Sequence, residues 1–594
     1  MKKILSCLLL CAMLFSALSV GIFAEENGIT ADTSWYDETK TEFTLTTAAQ
    51  LAGLDVLMKK DTSVEKEFRF IGKTVLLGAD IDLSGYKWNG SGLFDGTFNG
   101  QGHTVSNLNS PDGRAMFGYA VGIIQNFTLI DPVIGKSATN CVGAIVGDRN
   151  QSILKDKSLT ISDVRVVDAT IAGGTCVGGI LGNTNDGSAT GNETVTVKNC
   201  SFSGTVNGVS NVGGVVGYLI NVNQVSIKNC TVSGTVSGTQ KGVGGIIGCT
   251  KSNFDIENCT VKGIVSATDD ACGGLVGWIY NEKITAEEGM TASLNNCHAN
   301  VSITGSGNRK GGLIGRVNIS SSKLDLSIKN CLAEGKITLG SNQTFMAGLV
   351  AWLHVGGTPD LNASFENTIS GMDCVSNEDG SALPNFKGIA NINDNITTVS
   401  LKLTNVYVDS EKLGNRGLVK NDQYVVSDSV YGAKTNSELQ ALDLTGWTMQ
   451  LYDYPIPSAL IEGKTYLIGE QTKANADGTT DYRLVAVWNM AQGDRLENYT
   501  DIGFIATLTD DKTGETLYQN QKVSCKSVYT AVTGTNAQGE TLTYTPDQWG
   551  GDYLFVLVLE GVDADAQFTL RLTPYTTDTN GNDSLGLEFV KKND

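Results

Sequence analysis

Proline and histidine are nearly missing from this chain: of 594 residues, 8 are proline and 3 are histidine. So little proline beside 70 glycines is not the composition of a disordered linker. It suits many short strands joined by tight turns. The histidines, His103, His298 and His354, stand apart, and none has a second histidine four residues away. No Gly-x-Ser-x-Gly nucleophile elbow occurs. The Gly-His-Gly and Arg-x-Lys elements of a polygalacturonase-like site are absent too, although Asn183-Thr184-Asn185-Asp186 superficially resembles its first element. Beyond the N-terminus no run reaches the ~18 apolar residues of a membrane-spanning helix. Basic residues are outnumbered, 43 against 63 acidic, for a formal charge of −20. Such a chain repels nucleic acid and anionic membranes, and its charge keeps it soluble.

The first residues have the layout of a secretory leader. Lys2 and Lys3 precede an apolar stretch from Ile4 to about Phe23, and Ala24 is the expected cleavage residue before Glu25. Ile22 is larger than the small residue usual two positions before that one. An uncleaved anchor is the alternative, which Ser6, Ser16 and Ser19 disfavour. Cleavage removes two lysines, taking the charge from −20 to −22. It also removes Cys7 and Cys11, leaving 11 of the 13 cysteines.

The fold is legible in a repeat. An apolar-glycine motif starts at Val142, Val177, Val212, Val243, Cys272, Lys310 and, in decayed form, Met346. The successive intervals are 35, 35, 31, 29, 38 and 36 residues. A second motif follows each copy, clearest in Ile227-Lys228-Asn229-Cys230, and then an alternating segment such as Val232-Ser233-Gly234-Thr235-Val236. Each repeat thus holds three short strands and no helical pattern. One such coil cannot bury its apolar face alone, so successive coils must stack, strand over equivalent strand. The expected architecture is all-β, a right-handed parallel β-helix of about eight turns, roughly 40 Å long.

Stacking places equivalent residues in columns. Asn126, Asn199, Asn229, Asn258, Asn296, Asn330 and Asn405 should form an amide ladder at one corner. Cys200, Cys230, Cys259, Cys297 and Cys331 should stack beside it, pointing inward as small hydrophobes. A column spreads thiols along a line, where a metal site needs them to converge. Parallel side-chain vectors also suit disulfides poorly. No metal, cofactor or catalytic residue is therefore expected. A phosphate-cradling role for the glycines lacks the following helix and Lys-Ser/Thr pair, so the glycines should mark corners and close backbone approaches.

Gly274-Leu275-Val276-Gly277 and Gly312-Leu313-Ile314-Gly315 resemble the GLUG motif letter for letter. The entry segments from Phe43 to Ala52, Ala79 to Leu83 and Phe94 to Val105 are similar to the opening of such arrays. The resemblance spans roughly residues 40–457. It implies a bacterial secreted or surface protein; some immunoglobulin A peptidases carry the same repeat beside a separate zinc protease domain. The His-Glu-x-x-His helix of that domain is not present here, so the activity does not carry over.

The domain order expected is a leader at 1–24, a capping segment at 25–75 containing a helix over 47–59, the coil at 76–457, and a β-sandwich of immunoglobulin-like size at 458–594. A second cap is expected at 437–442. Insertions at 148–160, 183–194, 278–293, 316–326 and 353–397 should project from one side of the rod. Tyr218, Trp278 and Trp352 follow directly on the motif. They either pack on neighbouring turns or form a stripe that binds sugar or protein. The expected function is a non-catalytic secreted or cell-surface adhesin, binding a glycan or protein on a host or bacterial surface. The alternative is a polysaccharide-degrading β-helix enzyme with a non-standard site.

Overall fold

The computed structural model describes residues 28–59, 70–149, 157–185, 193–281, 289–340, 343–393 and 398–440. Beyond 440 it describes shorter pieces, chiefly the strands given below. The leader and Asp186 lie outside the described residues. The chain is 57% strand and 6% helix, and its main body is a parallel β-helix with a 31-stranded sheet winding round it.

One column of parallel strands shows the stacking. It runs from Glu42–Leu45 through Thr74–Leu77, Leu93–Asn99, Phe117–Ile130, Leu159–Ala172, Thr194–Lys198, Gln224–Lys228, Asn253–Glu257, Met290–Asn295, Leu324–Lys329 and Leu361–Ser376 to Val399–Asp409. Twelve layers at ~4.8 Å make a column of roughly 50 Å. That exceeds the eight turns expected, because parallel pairing starts at Glu42, before the first motif. Register is preserved residue by residue: Val197, Ile227, Ile256, Leu294, Ile328, Phe365 and Leu403 stack inward.

The turns that start at Val177, Val212, Val243, Cys272 and Lys310 each have four strands, one more than expected. The first half of the motif forms its own seven-stranded sheet, with members such as Val243–Gly244, Cys272–Gly273 and Lys310–Gly311. The chain then bends and opens the next strand, such as Val276–Asn281. Glycine is needed at the bend because backbones touch there. A Cβ on Gly274 would lie 2.0 Å from the Gly312 carbonyl oxygen.

The corner ladder is present. Asn199 donates to Asp163 Oδ1, and Asn229, Asn258, Asn296, Asn330, Asn367 and Asn405 each donate to the asparagine one turn before, at 2.9–3.3 Å. All have left-handed backbones, φ 45–56°, a conformation asparagine and aspartate tolerate better than other residues with a Cβ. Asn126 shares it at φ 61°.

The five column cysteines are at most 3% exposed. Each thiol donates to the carbonyl two residues back, at 3.2–3.3 Å. The Cys230 sulfur and burial push the Cys200 thiol well up, and burial does so at Cys297. In the next turn Thr368 takes the thiol's place, donating to Glu366 O at 2.9 Å. Cys141 and Cys176 sit at another corner. The thiol of Cys141 donates to the sulfur of Cys176, which pushes Cys141 up and Cys176 down. Of the described cysteines, all free, Cys141 is the one not fully buried.

The early turns are filled by aromatics. Phe70, Phe94 and Phe117 follow one another at 5.5 and 5.1 Å. The helix Ala48–Met58 forms as expected, with Thr47 as its N-cap. Leu51, Leu54, Leu57 and Met58 join the same core. Asp55 ties the helix down by accepting from Asn89 N at 2.8 Å and Tyr86 Oη at 3.1 Å.

The second cap differs from expectation. Helix Asn436–Gln440 lies on the flank: Leu439 packs on Leu332 and Ile369, which point out of the coil. Tyr454 covers the same flank, donating to Asp409 Oδ2 at 2.5 Å. Its ring leaves no room for a Cβ on Gly371, which would meet it at 2.2 Å.

From 465 onward the strands are antiparallel. Thr465–Ala474, Thr479–Trp488 and Tyr553–Asp563 form one sheet. Thr516–Ser524, Asp501–Asp510, Phe568–Thr577, Asp583–Leu585 and Phe589–Lys592 form another. Two antiparallel sheets are the components of the expected sandwich.

Two outcomes follow. Asn258→Ala should lower stability by about 2–3 kcal/mol, the sum of two ladder bonds and left-handed strain. Asn258→Gly should cost about 1 kcal/mol less, because it keeps the backbone conformation. Paired denaturation curves check both. In the leaderless Cys525→Ser chain, a thiol reagent at pH 7 should label the Cys141/Cys176 pair first. The column cysteines should react only after denaturation.

Candidate functional site

The strands that leave the motif each present an outward residue just after its last glycine. Register stacks these as Asn183, Tyr218, Cys249, Trp278 and Arg316. Trp352 follows, since Ile314 pairs with Val350 and Val317 with Leu353. The three aromatics expected in a stripe thus do share one column.

Its upper part is a cation–π stack. The Arg316 guanidinium lies 4.7 Å from the Trp278 ring and 4.8 Å from that of Trp352. Arg309 enters from the corner just before the motif strand Lys310–Gly311 and sits 3.9 Å from the Trp352 ring and 5.4 Å from Phe345. Lys241 lies 5.0 Å from Trp278 on a lower turn. Tyr280 and His354, two residues further along their strands, pack on Trp278 and Trp352 at 4.7 and 4.5 Å. Such contacts are each worth about 0.5–2 kcal/mol, depending on desolvation.

Trp278 is 9% exposed and Trp352 7%. The indoles therefore do pack on neighbouring turns, and the arginine side chains, about a fifth exposed, reach solvent. Asp270 anchors both arginines through one oxygen. Arg309 donates to its Oδ2 at 2.8 Å and Arg316 at 3.1 Å. Burial, then Arg316 and Arg309, hold the His354 pKa below its usual value. Sequence reading missed Arg309, Arg316 and Asp270. Arg316 could have been found, since it follows Gly315 as Trp278 follows Gly277.

Two other places carry polar groups. A shallow groove of about 440 Å³ crosses the neighbouring face, lined by Ser293, Ser327, Ser364, Asp325, Asn362 and Lys402 among others. Near the N-terminal end, buried Asp148 accepts from Asn183 at 3.1 Å and from Arg149 N at 2.8 Å, while Lys157 bonds Asp95. Thr184 and Asn185, from the four-residue element noted above, bond to neighbouring turns through Ile220 O and Asn221.

The histidines are dispersed, on Asp80, Glu334 and Asn393. Among the described residues no three His, Cys, Asp or Glu side chains are grouped to hold a metal. No described helix is long and apolar enough to cross a membrane. The segments 150–156, 186–192 and 282–288, inside three expected insertions, lie outside the described residues. The region 353–397 is not one loop. It contains strand Leu361–Ser376 and the short strands Phe386–Lys387 and Ala390–Ile392.

No family model matches the chain. A stretch of 160 residues is 30% identical to Halomucin of Haloquadratum walsbyi, covering 25% of this chain and 1% of that protein. Among solved structures, one of a Bacteroides ovatus protein provisionally assigned as an immunoglobulin A1 protease is similar. The match covers 70% of this chain and 92% of that one, at 19% identity and a TM-score of 0.31.

The arginines' effect on His354 is measurable. Folding favours the neutral ring, so this stabilisation is full above about pH 6.5 and is lost as pH falls through the depressed folded value. Arg309→Gln should raise the His354 pKa, followed by NMR, and reduce the loss of stability on acidification.

Proposed function

We propose that the chain is a non-catalytic secreted or cell-surface protein of the GLUG-repeat kind, a rigid rod that binds a glycan or protein ligand. The observation that carries this is the Trp278–Arg316–Trp352 stack. Equivalent positions elsewhere in the rod hold like residues in ladders, whereas this outward column collects aromatic and cationic groups. Such groups are enriched where surfaces bind. A rigid platform also limits the entropy lost on binding. The likeness to Halomucin, a mucin by its name, agrees with an outward-facing role.

The serine-lined groove supports a second reading, a polysaccharide-degrading enzyme working with Asp325. Release of oligosaccharides from pectin or mucin, abolished by Asp325→Asn, would establish it.

The test of the binding reading is a glycan and matrix-protein panel with the leaderless chain. At least one ligand should be retained, and Tyr218→Ala with Trp352→Leu should weaken it about tenfold or more while the protein stays folded. Absence of binding across the panel sinks the proposal.

A further inference from the structure

The arginine–tryptophan stack has an imbalance of charge and of hydrogen bonds. Both guanidiniums share one oxygen of one carboxylate. No other acid lies in an ion pair with either of them among the described residues. One positive charge is therefore left over, inside a chain of net charge −20. The polar atoms are underused as well. Arg309 Nε, Arg316 Nε, Trp278 Nε1, Trp352 Nε1 and Asp270 Oδ1 are all buried without a hydrogen-bond partner. Buried polar groups in native proteins are paired in the large majority of cases. Four unmet N–H donors against one unmet acceptor, beside a guanidinium whose charge is not balanced, mark a place short of acceptors.

We infer that this cluster is the binding site for an anionic saccharide, one whose ring carries a carboxylate or sulfate. The inference rests on the reading of the column as a binding surface and names its ligand class. The anion is met by the outer edges of Arg309 and Arg316, whose planar forks match the geometry of carboxylates and other oxyanions. The tryptophans hold the guanidinium planes in place, so little side-chain entropy is lost when the ligand arrives. Asp270 fixes the pair and balances one of its two charges.

The surroundings favour a sugar over an acidic peptide. The next outward column, Tyr280, Asn318 and His354, offers hydrogen-bonding tips suited to hydroxyl groups. The chain's overall charge opposes anions at long range, so recognition must come from this local geometry. Salt should therefore weaken binding only moderately.

The test is titration calorimetry of the leaderless chain against four probes: oligogalacturonate, a chondroitin sulfate oligosaccharide, a neutral malto-oligosaccharide, and polyglutamate. Binding of oligogalacturonate or the chondroitin sulfate, with the other two weaker by about tenfold or more, is the expected result. Which of the two binds distinguishes carboxylate from sulfate. Arg309→Gln should reduce that binding by about tenfold or more. Arg316→Lys keeps the charge but loses the planar fork and should also weaken it. Melting curves exclude unfolding, and if Arg309→Gln does not fold, Arg316→Lys decides. Equal binding of the neutral probe, or indifference to both substitutions, overturns the inference while leaving the binding reading intact. Polyglutamate binding as tightly overturns the sugar assignment. Failure of all four probes overturns the anionic class. If the broad glycan and matrix panel is then also blank, the binding reading falls with it.

Discussion

Everything in this protein depends on in-register parallel stacking, in which each residue's nearest neighbour outside its own turn is the equivalent residue one turn away. That constraint turns a sequence repeat into columns. An asparagine that solves the corner once solves it at every level, because its amide can donate to one neighbour and accept from the other. The ladder from Asn405 down to Asn199 works this way and ends on Asp163, which can only accept when ionised. The cysteines obey the same rule, each thiol spending its weak donor on a carbonyl within its own turn. The motif glycines follow from it too, since a turn that bends tightly leaves no room for a Cβ between stacked backbones.

Stacking also explains where the rod departs from uniformity. Interior columns repeat one type of residue because any misfit there disturbs two neighbours in a close-packed core. The outward column after the motif is free of that restriction and changes at each level, from Asn183 through Tyr218 and Cys249 to Trp278, Arg316 and Trp352. Contacts in a solenoid are mostly between adjacent turns, so such a column can be rewritten locally without propagating strain. Part of the cost of burying two guanidiniums is met within three turns, by indole faces and by Asp270.

How much of this was legible depended on whether a column used one residue type. The asparagine and cysteine columns were readable because the letters repeat. Asn367 was not read into the ladder because Thr368 follows it, breaking the Asn-Cys pair, although the hydroxyl does the thiol's work. The first layers were not counted as turns because Phe70, Phe94 and Phe117 fill them without any motif. The fourth strand was hidden inside the motif, which reads as one apolar run until the backbone contacts at its glycines show the bend. The column of Tyr218, Trp278 and Trp352 was half visible. Its aromatic members share a position after the motif, whereas Asp270 and Arg309 reach it from the preceding corner, at a distance that varies with the loops.

The separation of interior from exterior has a consequence for how such a rod carries specificity. Its stability is distributed over twelve similar layers, none of which has to be exceptional. Its recognition features can then be concentrated where two or three adjacent levels differ from the rest. The cluster at Trp278, Arg316 and Trp352 occupies the last three of the seven motif-bearing turns, with paired layers above and below to hold it. At the end of the rod the same side chains would lie on a turn stabilised from one side only, where local opening costs least. Placed within the stack, the guanidiniums keep their geometry because the neighbouring turns cannot open independently, which is the preorganisation an edge-on anion contact requires.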